Sequence, residues 1–157
     1  MTHRPARTRG QRTADSLAML NGEVDVWVAT ASEQDGVARP HLVPVSLAWF
    51  EERVVIAVQA TSRTALDLST GGVARLGVGP TRDVVMIDVV LDESHPVESA
   101  PPAIAERFAQ QADWDPRTST GYLYVLLRPV RVQAWREADE IPGRTLMRDG
   151  EWLESVR

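Results

Sequence analysis

Cysteine is absent from this 157-residue chain, and so is lysine: all seventeen basic residues are arginine. Without a thiol there is no disulfide, no thiolate metal ligand and no cysteine nucleophile, and redox chemistry gives no clue to compartment. Without a lysine, no Schiff base to pyridoxal phosphate can form and no P-loop lysine can cradle a nucleotide. The three histidines, His3, His41 and His95, lie far apart and have no carboxylates at metal-ligand spacing, so no metal is expected. No apolar run approaches the ~18 residues of a membrane span, and the N-terminus lacks an apolar signal core. The net charge of −5 argues against a nucleic-acid surface, where a basic face is expected. A cytoplasmic protein that engages neither membrane nor nucleic acid is the expectation.

The length suits a single domain over 1–157. Arginines cluster between Arg4 and Arg12, and residues 1–12 read as a flexible, solubilising arm. Ala14, Leu17 and Ala18 suggest a short helix after it. Val24, Val26 and Val28 then alternate with Asp25 and Trp27, which is strand periodicity, and Asp35-Gly36 is a hairpin turn pair. The run Val37 to Phe50 is apolar but contains Pro40 and Pro44. Proline donates nothing to a ladder, so this strand must lie at an edge or carry a bulge there, leaving backbone groups free.

Further strands are expected at Val54 to Val58, around Ala74 to Val78, and from Val84 to Leu91. A proline-rich loop covers Ser94 to Pro102, and a helix follows over Ala103 to Asp113. Tyr122 to Leu127 and Val130 to Trp135 read as two strands divided by Pro129. A last hairpin turns at Asp149-Gly150. The pattern is mainly β, seven or eight short strands with two or three helices on the margins, and closure into a small barrel is the usual way such a chain removes its sheet edges.

The segment with the most chemistry is the exit of the strand ending at Ala57-Val58, where Thr61-Ser62-Arg63-Thr64 opens a helix that Gly71-Gly72 stops. The first N–H groups of a helix lack intrahelical partners and carry the positive end of its dipole, so an anion is stabilised there. Arg63 adds a fork of donors and Ser62 and Thr64 add hydroxyls. Thr61 or Ser62 equally suits a plain helix cap.

Four blocks in order resemble the pyridoxamine 5'-phosphate oxidase-like family of FMN-binding split barrels. They are Thr30 with Asp35-Gly36 and Arg39-Pro40-His41-Leu42-Val43-Pro44; Ser62-Arg63-Thr64; Arg82-Asp83-Val84-Val85-Met86-Ile87; and Trp135, followed by Arg144, Arg148 and Trp152. The resemblance implies a split β-barrel with two or three short peripheral helices, and a homodimer with FMN at the subunit interface. By the same resemblance, Ser62, Arg63 and Thr64 would hold the phosphate. Arg39, Pro40, His41, Leu42, Val43 and Pro44 would run along the isoalloxazine, with Ala57 and Val58 lining the pocket. Asp83, Trp135 and Arg144 would complete the cofactor site.

The departures are informative. Thr64 and Asp83 stand where the family has lysine and glutamine, and Glu140-Ile141-Pro142-Gly143 replaces the arginine and histidine that grip pyridoxamine phosphate. The implied activity is therefore hydride transfer between flavin and some other small organic molecule, with no catalytic residue assigned. A reductase using the deazaflavin coenzyme F-420 and a non-catalytic flavin- or haem-binding module are the alternatives on the same barrel.

Overall fold

The computed structural model describes residues 4–154, so residues 1–3 of the expected arm, and His3 with them, lie outside the described residues. The strands are β1 (Asp25–Gln34), β2 (Val37–Phe50), β3 (Arg53–Gln59), β4 (Val73–Val78), β5 (Val84–Pro96), β6 (Tyr122–Trp135), β7 (Thr145–Arg148) and β8 (Glu151–Trp152). The α-helices are α1 (Arg9–Gly22), α2 (Arg63–Gly71) and α3 (Pro102–Gln111). All pairings are antiparallel, in the order β3-β2-β1-β4-β5-β6-β7-β8, and β3 also pairs with β6. That last pairing closes six strands into a barrel and leaves β7 and β8 as an added hairpin.

The barrel follows from alternation. Val26 and Val28 of β1, Leu76 and Val78 of β4, and Val85 and Ile87 of β5 point inward and are buried. Leu20 of α1 and Leu68 of α2 join the same core. A second apolar cluster lies outside the wall, where Ile104, Ala105 and Phe108 of α3 cover Ala48, Val55, Ala57, Tyr124 and Leu126. The buried Gln111 ties three elements together, donating to the carbonyls of Leu20 (2.7 Å) and Glu23 (2.9 Å) and accepting from the Trp49 N–H (2.9 Å).

Several expectations change. The strand interrupted by Pro129 is one continuous β6, because Val130 is taken up as a bulge opposite the Asp88–Val89 step and the ladder resumes on both sides. β5 runs on to Pro96 through a second irregularity at Asp92, so much of the expected proline-rich loop is strand. The first helix buries Arg12, Ser16 and Leu20 and leaves Ala14 and Ala18 exposed.

The expected free arm does not hold for residues 7–12. A Thr8–Gln11 capping box starts α1, the Arg12 guanidinium donates to the Glu140 carbonyl at 3.0 Å, and Arg7 is almost wholly buried against Glu140. Charged side chains enter the interior here because each finds a partner.

Candidate functional site

β2 is paired with β1 along its whole first half, Val37 to Ser46, but with β3 only from Leu47 to Phe50. Beyond Ile56, β3 pairs with β6 alone. The two strands therefore part company, and the edge expected from Pro40 and Pro44 is this unpaired side of β2. A cleft of about 450 Å³ opens in the split, lined by His41, Val43, Val45 and Ser46 from β2 and by Ala57, Val58 and Gln59 from β3. The start of α2 contributes Ser62, Arg63 and Thr64, and Trp114 and Tyr122 complete the wall.

Local chemistry fixes the α2 end. Ser62 is the N-cap, its Oγ accepting from the Ala65 N–H at 3.1 Å, and Gly72 ends the helix in the left-handed region at φ 71°. The amides of Arg63 and Thr64 precede the first intrahelical bond and are the donors a helix start offers an anion. The Arg63 guanidinium is half exposed and its Nη1 lies 3.5 Å from Oδ1 of Asp67 one turn on. Asp67 is buried beneath it, and its other oxygen accepts from the Thr30 hydroxyl at 2.8 Å. Thr64 is buried in the cleft floor.

The cleft also has an apolar and aromatic surface, with Tyr122 paired to Gln59 at the exit of β3. Trp114 and Tyr122 meet edge to face at 5.0 Å, and Phe108 packs against Trp114 at 6.1 Å and Tyr124 at 5.6 Å. Rings locked against one another form a rigid wall.

Seven of the fourteen expected site residues line this cleft: His41, Val43, Ala57, Val58, Ser62, Arg63 and Thr64. Pro40, Leu42 and Pro44 alternate onto the outer face of β2, and Arg39 lies outside the lining, two residues beyond His41 on its side of the strand. Three others sit elsewhere on the protomer. Asp83 is held by Arg7 (3.2 Å) and Arg136 (3.2 Å). Trp135 borders a small hollow with Arg75, Met86, Asp88, Arg131 and Gln133. Arg144 lies over the Trp135 ring at 5.6 Å, so these two do form a unit. Sequence reasoning missed Val45, Ser46, Gln59, Trp114 and Tyr122. The alternation Val43-Val45 was a usable signal, whereas nothing in spacing brings Trp114 to β3.

A second depression, of about 490 Å³, opens at the far end of β3 around Trp49, Arg53 and Trp152. Its carboxylates Glu51, Asp92 and Glu93 are already drawn to Arg53 at 3.0, 3.0 and 3.4 Å. Glu93 also accepts from His95, and that bond, aided by Arg53, holds its carboxyl below the usual range. Among the described residues no group of three or more His, Cys, Asp or Glu could hold a metal ion, and no helix is long and apolar enough to cross a membrane.

The closed six-strand barrel, split between β2 and β3 and flanked by short helices, is the split-barrel fold of the pyridoxamine 5'-phosphate oxidase-like proteins. Solved structures similar to it include an F420 reductase, at 13% identity and a TM-score of 0.59 over 73% of this chain and 93% of that one. Another is a provisionally assigned pyridoxamine 5'-phosphate oxidase from Listeria innocua, at 11% identity and 0.59 over 79% and 98%. A heme binding protein from Mycobacterium smegmatis matches at 16% identity and 0.62 over 95% of this chain, which spans 60% of that protein. At such identities the likeness is one of fold. No protein-family model and no curated protein sequence matches the chain.

Proposed function

We propose that the cleft binds a flavin-type cofactor through its phosphate-bearing side chain and that the protein is an oxidoreductase acting on a small organic molecule. The observation that carries this is the make-up of the cleft, which joins Arg63 and the α2 amides to a lining of Val43, Val45, Ala57, Val58 and the aromatic rings of Trp114 and Tyr122. A ligand with a planar apolar ring and an anionic tail fits that arrangement, and the volume is in the range of small-molecule sites. Arg63, Ser62 and the first amides of α2 would hold the tail, while Val43, Val45, Ala57 and Val58 would exclude water from the ring. The flavin would supply the hydride chemistry, and the chain would supply position and electrostatics.

The working unit is a homodimer. The outer face of β1, β2, β4 and β5 carries Trp27, 51% exposed, beside Pro44 and Gly77, and Leu42, 61% exposed, in the next row beside Ala29 and Arg75. A contiguous exposed apolar patch of this kind marks an interaction surface. Trp135 belongs to the same side of the sheet, bordering the hollow of Arg75 and Met86, and Arg144 lies over its ring. Docking through this face would bring Trp135 and Arg144 of the partner subunit to the seam that β2 borders. The Arg144 guanidinium there would stabilise negative charge on a reduced ring.

The absorption spectrum of freshly purified protein, followed by titration with FMN and with the deazaflavin coenzyme F-420, tests the cofactor. A flavin band or quenching of flavin fluorescence supports the reading, and neither ligand perturbing the protein would sink it. Light scattering on the wild type and Trp27→Arg tests the dimer, since a charge at the centre of the face should yield monomers. The heme-binding neighbour supplies the competing reading, in which His41, the one imidazole lining the cleft among the described residues, would be the axial ligand. A Soret band after reconstitution that His41→Ala abolishes would establish it instead.

A further inference from the structure

We propose that His41 is the second cation of the anion seat at α2, supplied when its imidazole is protonated, so that it strengthens the hold on a phosphate-bearing tail as pH falls through the range in which imidazoles take up a proton. This rests on the flavin reading above and adds to it a further binding residue, on β2.

The ladder and the cleft together place His41 at the seat. β2 and β3 last pair at Leu47–Ile56, and His41 lies towards the open end of the split, where the chain leaves β3 through Gln59 and enters α2 at Ser62 and Arg63. His41 stands directly opposite Thr30 in the β1–β2 ladder. Such a pair has its Cβ atoms about 5 Å apart on one face of the sheet. The Thr30 hydroxyl in turn donates to Asp67 at 2.8 Å, and the other Asp67 oxygen lies 3.5 Å from Nη1 of Arg63. The imidazole is thus one short side chain from the carboxylate that backs Arg63, and His41 and Arg63 line the same cleft.

Few charged groups surround it. α2 offers Arg63 and the buried Asp67, and β2 itself offers Arg39, two residues along on the same side. β1 offers Thr30, with Ser32 next on that face, and the facing wall offers Gln59, Trp114 and Tyr122, all uncharged. Thr64 beside Arg63 supplies a hydroxyl and no charge, and the chain has no lysine. Arg63 and Asp67 cancel to first order, and the helix start adds about half a positive charge. Protonating His41 raises that sum to about one and a half, and of the groups named only an imidazole changes charge between about pH 5 and 8. An anion is attracted in proportion to the sum.

A terminal phosphate also takes up a proton over this range, with a second pKa of about 6, which weakens its attraction to Arg63. The contribution of His41 is therefore measured as a difference between variants. The test is fluorescence titration of FMN and of riboflavin, which has no phosphate, into wild type, His41→Gln and His41→Arg near pH 5.5 and near pH 8. Glutamine keeps a neutral donor. Near pH 5.5 the wild type should bind FMN about tenfold more tightly than His41→Gln, the difference between a charged and a neutral hydrogen bond, and near pH 8 the two should agree within about twofold. His41→Arg should keep the advantage over His41→Gln at both values, and riboflavin should show none. A ratio of wild type to His41→Gln that ignores pH, or an equal gain with riboflavin, would overturn the proposal. If neither ligand binds at either pH, the flavin reading falls separately, and the seat is then read by thermal shift with sulfate, whose double charge is constant over this range. Sulfate stabilising the wild type more than His41→Gln near pH 5.5 but not near pH 8 sustains the proposal, and an equal or absent response overturns it.

Discussion

Replacing Glu140 by glutamine removes the charge from the most heavily partnered carboxylate in the protein's interior. Its oxygens accept from the Arg7 main-chain N–H (2.8 Å), Nε (3.0 Å) and Nη2 (2.8 Å) and from the Arg136 N–H (2.9 Å), with 2% of the side chain exposed. These donors, the Arg7 side chain first among them, hold the Glu140 pKa down from 4.5 to about 2. That depression corresponds to about 3 kcal/mol of stability at neutral pH. Independently, leaving one member of a buried ion pair uncompensated costs about 3–5 kcal/mol. For a domain of this size a loss of 3 kcal/mol lowers the Tm by about 10 °C. The sign with pH follows: a carboxyl depressed in the folded state contributes fully above its unfolded value and loses that contribution as pH falls from about 4.5 through 2. Urea melts of wild type and Glu140→Gln should therefore differ by about 3 kcal/mol at pH 7, with the gap narrowing below pH 4.5. Arg7→Met should cost a similar amount and the double variant little more. A gap under about 1 kcal/mol at pH 7, or one indifferent to acid, would refute a stabilising role for the Arg7–Glu140 pair.

Three further outcomes follow from backbone and burial. Glu51 and Glu52 both sit at positive φ (49° and 60°) in the β2–β3 turn, so Asn-Gly at these positions should raise the unfolding free energy read from urea melts by about 1 kcal/mol despite loss of the exposed Glu51–Arg53 pair. Gly79→Ala should lose at least about 2 kcal/mol in the same assay, because φ is +83° and a Cβ would lie 2.7 Å from the Asp83 carbonyl oxygen. Tyr124→Phe should be neutral or stabilising in thermal melts, since the buried hydroxyl has no hydrogen-bond partner among the described residues and its burial pushes its pKa up; a clear loss would point to a partner for that hydroxyl.

Much of this architecture was legible because it is written in short-range chemistry. Asp35-Gly36 and Asp149-Gly150 adopt positive φ at both residues, as tight hairpins require, and Ser62 and Gly72 bound α2 as their residue types suggest. Pro40 and Pro44 correctly marked the free edge, which is the cleft itself. What stayed hidden depends on distance. Trp114 reaches the cleft only because β6 returns to pair with β3, and Arg7 reads as a solvated charge until the 3-10 turn Ala138–Glu140 after Trp135 brings Glu140 over it. Pro129 misled because a bulge at Val130 absorbs what a proline would otherwise break. Within Arg39 to Pro44, the period of two divided a contiguous motif between two faces, which a linear reading treats as one.

The central claim is that the split between β2 and β3 seats a flavin-type ring with its anionic tail on Arg63. The direct measurement is the fluorescence titration of FMN and of deazaflavin coenzyme F-420 into wild type and Arg63→Gln. Saturable binding of at least one of them to the wild type is expected, weakened by about tenfold or more when Arg63, the one cation lining the cleft among the described residues, is removed. Absence of binding to the wild type, or equal affinity for both proteins, would contradict it.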